Sequence, residues 1–176
     1  MTAAVAQTSV ALQQGFGVPG ELYTDAPFYI QPFTLVSALA SYNVIGATAC
    51  TITSQGVAQA GSGGTFGYAG ILVNPKQQQL LGDGSNPLNP SSTVPNNTQV
   101  ACVTMGTIVA TITTTANIGD LVVFDNTTGA LSTIAPGANL PTGKSFAYAF
   151  VDRYTVSVAG LAVLTLNPQL TVPVPA

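Results

Sequence analysis

The sequence predicts an all-β protein, a small antiparallel barrel or sandwich. Three observations predict it. β-Branched and aromatic residues recur in short runs, which suits a pleated, half-buried surface. Gly, Pro and Asn separate those runs at short intervals, as turns between strands require. Helical patterning is confined to two short stretches, Ala6–Gln14 and Lys76–Leu81.

Taken in order, residues 1–31 combine Gly15, Gly17, Pro19, Gly20 and Pro27 with Phe16, Tyr23, Phe28 and Tyr29. That mixture predicts an extended N-terminal arm whose aromatics dock on a partner, separable from a β domain over residues 32–167. Within the domain the expected strands are Thr34–Ala38, Asn43–Thr53, Phe66–Asn74, Gln99–Met105, Thr107–Thr113, Asp120–Asp125, Ala130–Ile134, Phe146–Asp152, Tyr154–Val158 and Leu161–Leu166. Phe146, Tyr148 and Phe150 should share one face of their strand, and Ala147, Ala149 and Val151 the other. Leu121–Phe124 and Leu161–Leu166 are continuously apolar, so both faces should be covered. Residues 82–98, rich in Gly, Asn, Pro and Ser, read as a long loop without secondary structure. Such loops are uncommon unless they have a function, and Leu88 within it joins the arm aromatics as a candidate partner contact. Residues 168–176 contain Pro168, Pro173 and Pro175, which predicts an extended tail unfit to be a central strand.

Turn chemistry supports two hairpins. Asn126-Thr127-Thr128-Gly129 divides Leu121–Phe124 from Ala130–Ile134, with Gly129 available for a left-handed conformation. Ala159-Gly160 divides Tyr154–Val158 from Leu161–Leu166 in the same way. Gly61-Ser62-Gly63-Gly64 lacks the lysine and helix of a phosphate loop and reads as a flexible turn.

Charge is scarce. Three basic and six acidic side chains serve 176 residues, with no histidine, and the net charge is −3. Soluble domains average about 25% charged residues, whereas this chain has 5% and is 47% hydrophobic. A surface so poor in charge is expected to be covered by partners. Only Lys76, Lys144 and Arg153 could meet phosphates, which argues against nucleic acid. Polar residues interrupt every apolar run, so no membrane helix is expected. No basic residue precedes Lys76, so no secretory leader is expected, and synthesis in a cytoplasm follows.

The residues for catalysis are missing. No imidazole is present to act as a general base, and no Gly-x-Ser-x-Gly elbow occurs. Asp83-Gly84-Ser85-Asn86 falls short of the 6–8 oxygens of a calcium loop. Asp120 and Asp125 should lie on opposite faces of one strand, unsuited to a carboxylate pair, and Asp125 should cap the turn after it. Asp152 and Arg153 should alternate across a strand, which keeps them from pairing with each other. No catalytic residue, cofactor or metal is therefore expected. Cys50 and Cys102 are too few for a zinc site. They read as small buried side chains with free thiols, a disulfide being the alternative.

A resemblance enters in the second half of the chain. Gly70-Ile71-Leu72-Val73-Asn74-Pro75-Lys76 is followed by Val103-Thr104-Met105-Gly106 and by Asn117-Ile118-Gly119-Asp120-Leu121-Val122-Val123-Phe124-Asp125-Asn126-Thr127-Thr128-Gly129-Ala130-Leu131. Ala149-Phe150-Val151-Asp152 and Gly160-Leu161-Ala162-Val163-Leu164-Thr165-Leu166 complete the succession. Over residues 66–167 it resembles the capsid cement, or decoration, proteins of tailed bacteriophages. The resemblance implies a virion protein bound to the outer face of the major capsid protein lattice as a small homo-oligomer, a trimer first and a dimer second. An alternative reading is a tail or adhesion module binding host glycans, with Tyr42, Tyr68 and Tyr148 as stacking surfaces.

Overall fold

A computed structural model describes residues 17–23, 27–64, 66–73, 82–83, 86–90 and 92–167. The chain forms β1 (Tyr29–Thr34), β2 (Ala49–Ile52), β3 (Ala58–Ala60), β4 (Tyr68–Leu72), β5 (Gly82–Asp83), β6 (Asn86–Pro90), β7 (Gln99–Ile112), β8 (Leu121–Asp125), β9 (Leu131–Ile134), β10 (Lys144–Arg153) and β11 (Gly160–Leu166). Among the described residues a 3-10 turn, Ala40–Tyr42, interrupts them. The all-β expectation holds. Nine strands form one antiparallel sheet in the order β3-β2-β4-β7-β11-β10-β8-β9, with β1 also on β7, and β5–β6 stand apart as a two-stranded ribbon.

The 14-residue β7 organises the sheet. One of its edges carries β11 along Gly106–Ile112 and β4 at Cys102 and Val103. The other carries β1 along Gln99–Met105. The sequence suggested two strands here, broken near Gly106. They are one, because Gly106 stays in the ladder at φ +122 and a Cβ there would sit 2.8 Å from the Phe28 Cβ. Glycine lets the chain before β1 approach this closely. The sheet also curls on itself. Ala49 N–H donates to Gly129 O at 2.9 Å and Leu131 N–H to Ala47 O at 3.3 Å, joining the start of β9 to the approach of β2.

The main core lies inside this curl and includes Ile71, Val103, Ile108, Ile112, Val122, Leu131, Leu164 and Leu166. A second cluster, with Leu35, Ile45, Cys50, Leu72, Val100 and Cys102, packs on the other side. Burying a Val, Leu or Ile side chain contributes about 1.5–3 kcal/mol, which offsets the low charge as a source of fold specificity. On β10, Ala147, Ala149 and Val151 are buried while Phe146, Tyr148 and Phe150 are not, the alternation read from sequence.

Several expectations are corrected. The first strand lies at Tyr29–Thr34 rather than Thr34–Ala38, and Pro32 is accommodated because β1 is an edge strand. The boundary drawn between residues 31 and 32 thus falls inside β1. Residues 20–23 extend the same edge: Gly20 N–H donates to Val109 O and Val109 N–H to Glu21 O, both at 2.8 Å, and Tyr23 N–H to Thr107 O at 2.9 Å. The unpaired edge of β7 needs those partners. Only Ala49–Ile52 of the expected Asn43–Thr53 strand forms, since Asn43 and Gly46 turn the chain instead. Tyr154–Val158 is not a strand beyond the Ala116–Val156 bridge. Tyr154, at φ +66, breaks the run, so residues 154–159 simply link β10 to β11.

The 82–98 segment is not structureless. It contains β5 and β6, and its end is tied down. Asn96 accepts from Ser37 N–H at 3.0 Å and from the Asn43 side-chain amide at 2.9 Å, and donates to Ser37 O at 2.8 Å. The expected helices Ala6–Gln14 and Lys76–Leu81 lie outside the described residues.

Candidate functional site

Three of the six acidic residues make local structural contacts. The Asp125 carboxylate accepts from Thr127 N–H at 2.9 Å, Thr128 N–H at 2.8 Å and the Thr128 hydroxyl at 3.1 Å. The Thr128 backbone bond foremost holds its pKa below the ordinary carboxylate value. This is the turn cap read from sequence, and Gly129 adopts φ +75 beside it. Asp120, nearly buried, accepts from Asn117 N–H at 2.8 Å. Asp152 does pair with Arg153, at 3.3 Å, against expectation. A bulge between Val151 and Arg153 removes the strict alternation that would have kept them apart. No group of three or more His, Cys, Asp or Glu able to hold a metal occurs among the described residues.

Cys50 and Cys102 are both buried and free. The Cys50 thiol is pushed well above its ordinary pKa, first by its hydrogen bond to Cys102 and then by burial.

The partner-contact candidates separate. Phe28 and Tyr29 are each 53% exposed, and Tyr29 pairs in register with Met105, 38% exposed. All three are exposed apolar side chains at the end of the β1–β7 pairing. Met105 gave no sequence signal, because its exposure depends on where the edge strand runs. Tyr23 belongs elsewhere: its hydroxyl is 3.1 Å from that of Tyr154, and the Arg153 guanidinium lies 5.6 Å from its ring centroid. That hydrogen bond raises the Tyr154 pKa. The side chain of Leu88, and all of Phe16, lie outside the described residues.

One aromatic cleft of about 390 Å³ opens between β4 and β10, lined by Thr51, Tyr68, Phe124, Ser145, Phe146 and Tyr148 among others. Tyr68 stacks on Phe124 at 6.0 Å and meets Tyr148 at 5.6 Å between ring centroids. Burial pushes the Tyr68 phenol well above its ordinary pKa. Of the hydroxyls in the cleft lining, Thr51 donates to Gly61 O and Ser145 to the Asn126 side-chain oxygen, whereas the buried Tyr68 hydroxyl has no hydrogen-bond partner among the described residues. Tyr42, the third tyrosine of the glycan reading, does not line it.

The family model for the structural cement protein (E217 gp24/Pam3 gp6) matches residues 6–167. Among solved structures, a chain from the capsid of Myoviridae phage XM1 superposes with a TM-score of 0.60 at 16% identity, covering 95% of this chain and 100% of that one. The N base of head fiber gp8.5 in bacteriophage phi29 matches with a TM-score of 0.41 at 8% identity, covering 80% of this chain and 95% of that one. No curated protein matches. The likeness to the XM1 chain is one of fold.

Proposed function

The chain belongs to the structural cement protein family of phages, and from that premise we propose that it binds the outer face of an assembled capsid and reinforces the major capsid protein lattice. It is a structural virion protein that stabilises the capsid. The family match over residues 6–167 carries the reading. The charge-poor composition supports it, because an obligate lattice component replaces charge by apolar and hydroxyl surface.

The mechanism is mass action. A protein that binds the assembled lattice and not its separated subunits stabilises the lattice by its binding free energy. Repetition over a symmetric shell turns weak contacts into durable retention. A homotrimer, or failing that a dimer, hides the apolar surface by closed symmetry. The Phe28–Tyr29–Met105 patch is the surface offered to a neighbouring chain. No catalysis, cofactor, nucleic acid or membrane enters this role, and the protein reaches the virion from the host cytoplasm.

The test is addition of purified protein to capsids that lack it. Saturable binding with raised resistance of the shells to heat is expected. Shells that neither bind the protein nor gain stability would overturn the proposal.

A further inference from the structure

The aromatic cleft is built around a strained residue. Val123 and Val122 are adjacent on β8, yet their partners on β10, Phe146 and Ala149, stand three positions apart. The bulge absorbs Ala147 and Tyr148, and Tyr148 takes φ +50, a conformation that aromatic residues rarely adopt. Bulges re-aim side chains beside functional sites. This one leaves Ala147 buried and sets Tyr148, 39% exposed, in the cleft wall. Its ring centroid lies 5.6 Å from that of Tyr68. Backbone strain held at a concave surface of this kind is a mark of ligand sites.

The hydrogen-bonding groups of the cleft define what it accepts. Thr51 donates to Gly61 O and Ser145 to the Asn126 side-chain oxygen, both at 2.7 Å, and Ser62 donates to Asn126 O at 3.3 Å. A hydroxyl has one proton to give and two lone pairs to receive. With the proton committed to the protein, each of these oxygens offers the cleft an acceptor. The Thr51 oxygen also accepts from Gly64 N–H at 2.9 Å, so Ser62 and Ser145 keep the greater capacity. The Tyr68 hydroxyl is buried and has no partner among the described residues. A buried polar atom in that state is costly until something answers it.

We propose that the cleft binds a neutral sugar ring, stacked by its C–H face on Tyr148 and hydrogen-bonded through its hydroxyls to Tyr68, Ser62 and Ser145. Acceptors call for a ligand rich in donors, and a sugar carries several O–H donors beside an apolar face. A proline-rich segment also docks on aromatic surfaces, but it brings carbonyls and few N–H groups, which would leave these acceptors unmet. The described lining is hydroxyl, glycine, leucine and aromatic, so a charged ligand would lose its hydration without a counter-charge. The volume of about 390 Å³ falls within the roughly 300–1,000 Å³ of small-molecule sites.

The test is an NMR titration of the full-length protein with glucose, galactose, mannose and N-acetylglucosamine. Each is also offered as its methyl glycoside, which stands for a ring within a longer glycan. At least one should shift the ring resonances of Tyr68 and Tyr148 saturably, in the millimolar range that a single stacked ring with a few hydrogen bonds gives. Preference for the glycoside assigns the site to a glycan, and preference for the free sugar to a soluble ligand. Tyr68→Phe removes only the hydroxyl. It should weaken binding by about fivefold while thermal stability stays level or rises, since no hydrogen bond to a described residue is lost. Tyr148→Gly suits φ +50 and removes the stacking ring, so binding should fall by about tenfold or more. Tyr42→Ala, outside the cleft, should bind like the parent. The absence of saturable shifts at both rings with every sugar up to about 100 mM overturns the proposal. So does an acetylated Ala-Pro-Pro-Ala peptide that shifts both rings where the sugars do not, which would make the occupant a protein segment. Undiminished sugar binding by Tyr68→Phe would overturn the assigned geometry, and that variant keeps the test decisive if Tyr148→Gly does not fold. The outcome is independent of capsid binding.

Discussion

Gly61 and Gly129 meet backbone to backbone: a Cβ added to Gly129 would stand 2.8 Å from the Gly61 nitrogen and 2.5 Å from Ala49 O. Gly61 N–H donates to Ala49 O at 3.0 Å, Ala49 N–H donates to Gly129 O, and Ser62 N–H donates to Asn126 O, both at 2.9 Å. The turn after β3 is thus clasped to the β8–β9 turn. Two segments far apart in sequence meet where the sheet curls, and neither has room for a side chain.

Gly129→Ala should therefore be costly. The residue sits at φ +75, where an L side chain costs roughly 1–2 kcal/mol, and the methyl group must also displace backbone. A loss of roughly 3 kcal/mol or more is expected on adding that overpacking. Gly137→Ala is the control, with φ +81 and nothing within 4 Å of the added Cβ. It should lose only the conformational part. Denaturant midpoints of the two variants check the difference; equal losses would dissolve the clasp argument.

Asp125 should make stability depend on pH in acid. Its folded pKa is depressed, chiefly by the Thr128 backbone bond. The contribution is complete above the unfolded carboxylate value of about 3.9 and is lost as pH falls through the lower folded value. Asp125→Ala should cost about 1 kcal/mol at neutral pH, the net worth of a lost capping bond. It should also flatten the acid limb of stability against pH below about pH 4. A variant whose acid limb matches the parent's would place the proton linkage elsewhere.

The fold was legible where burial alone sets the strand. β8, β10 and β11 lie within two residues of the segments read from Asp120–Asp125, Phe146–Asp152 and Leu161–Leu166, because their apolar periods answer directly to the core. Legibility failed where distant backbone decides. β3, Ala-Gln-Ala, has no β-branched residue and forms because β2 offers it an edge. Gly61–Gly64 read as a flexible turn, yet it is clasped, since nothing near Gly61 in sequence announces Gly129. The contact residues were half legible. Phe28 and Tyr29 are exposed aromatics as read, whereas Tyr23 pairs with Tyr154 and Arg153 through a loop that local sequence does not place beside it.

Cys50 and Cys102 should titrate as two thiols per chain in the denatured, unreduced protein. Cys50 pairs with Gly70 of β4, and Cys102 with Leu72 of the same strand, so β4 lies between them. A whole strand between them keeps their Cα atoms beyond the roughly 7 Å a disulfide can span. Native thiols should react slowly, being buried and, for Cys50, held protonated. An absence of titratable thiols with a mass matching an intramolecular bridge would refute this.

Phe28 and Tyr29 should matter for assembly and little for folding. Both are more than half exposed, and the Tyr29 hydroxyl accepts from the Gln31 side-chain amide, so their replacement leaves the core untouched. A cut after residue 30 is the poorer experiment, because it would strip Gly20–Tyr23 from the edge of β7 and expose unpaired backbone. The double variant Phe28→Ser, Tyr29→Ser should change stability by less than about 1 kcal/mol, as surface substitutions do. If the patch contacts a neighbouring chain, the variant should weaken oligomerisation or capsid retention by at least about tenfold, since buried aromatic anchors dominate interface energies. Sedimentation and shell-binding assays read the two effects apart. A double variant that assembles and binds shells like the parent would exclude this edge as the contact surface, while leaving the family assignment intact.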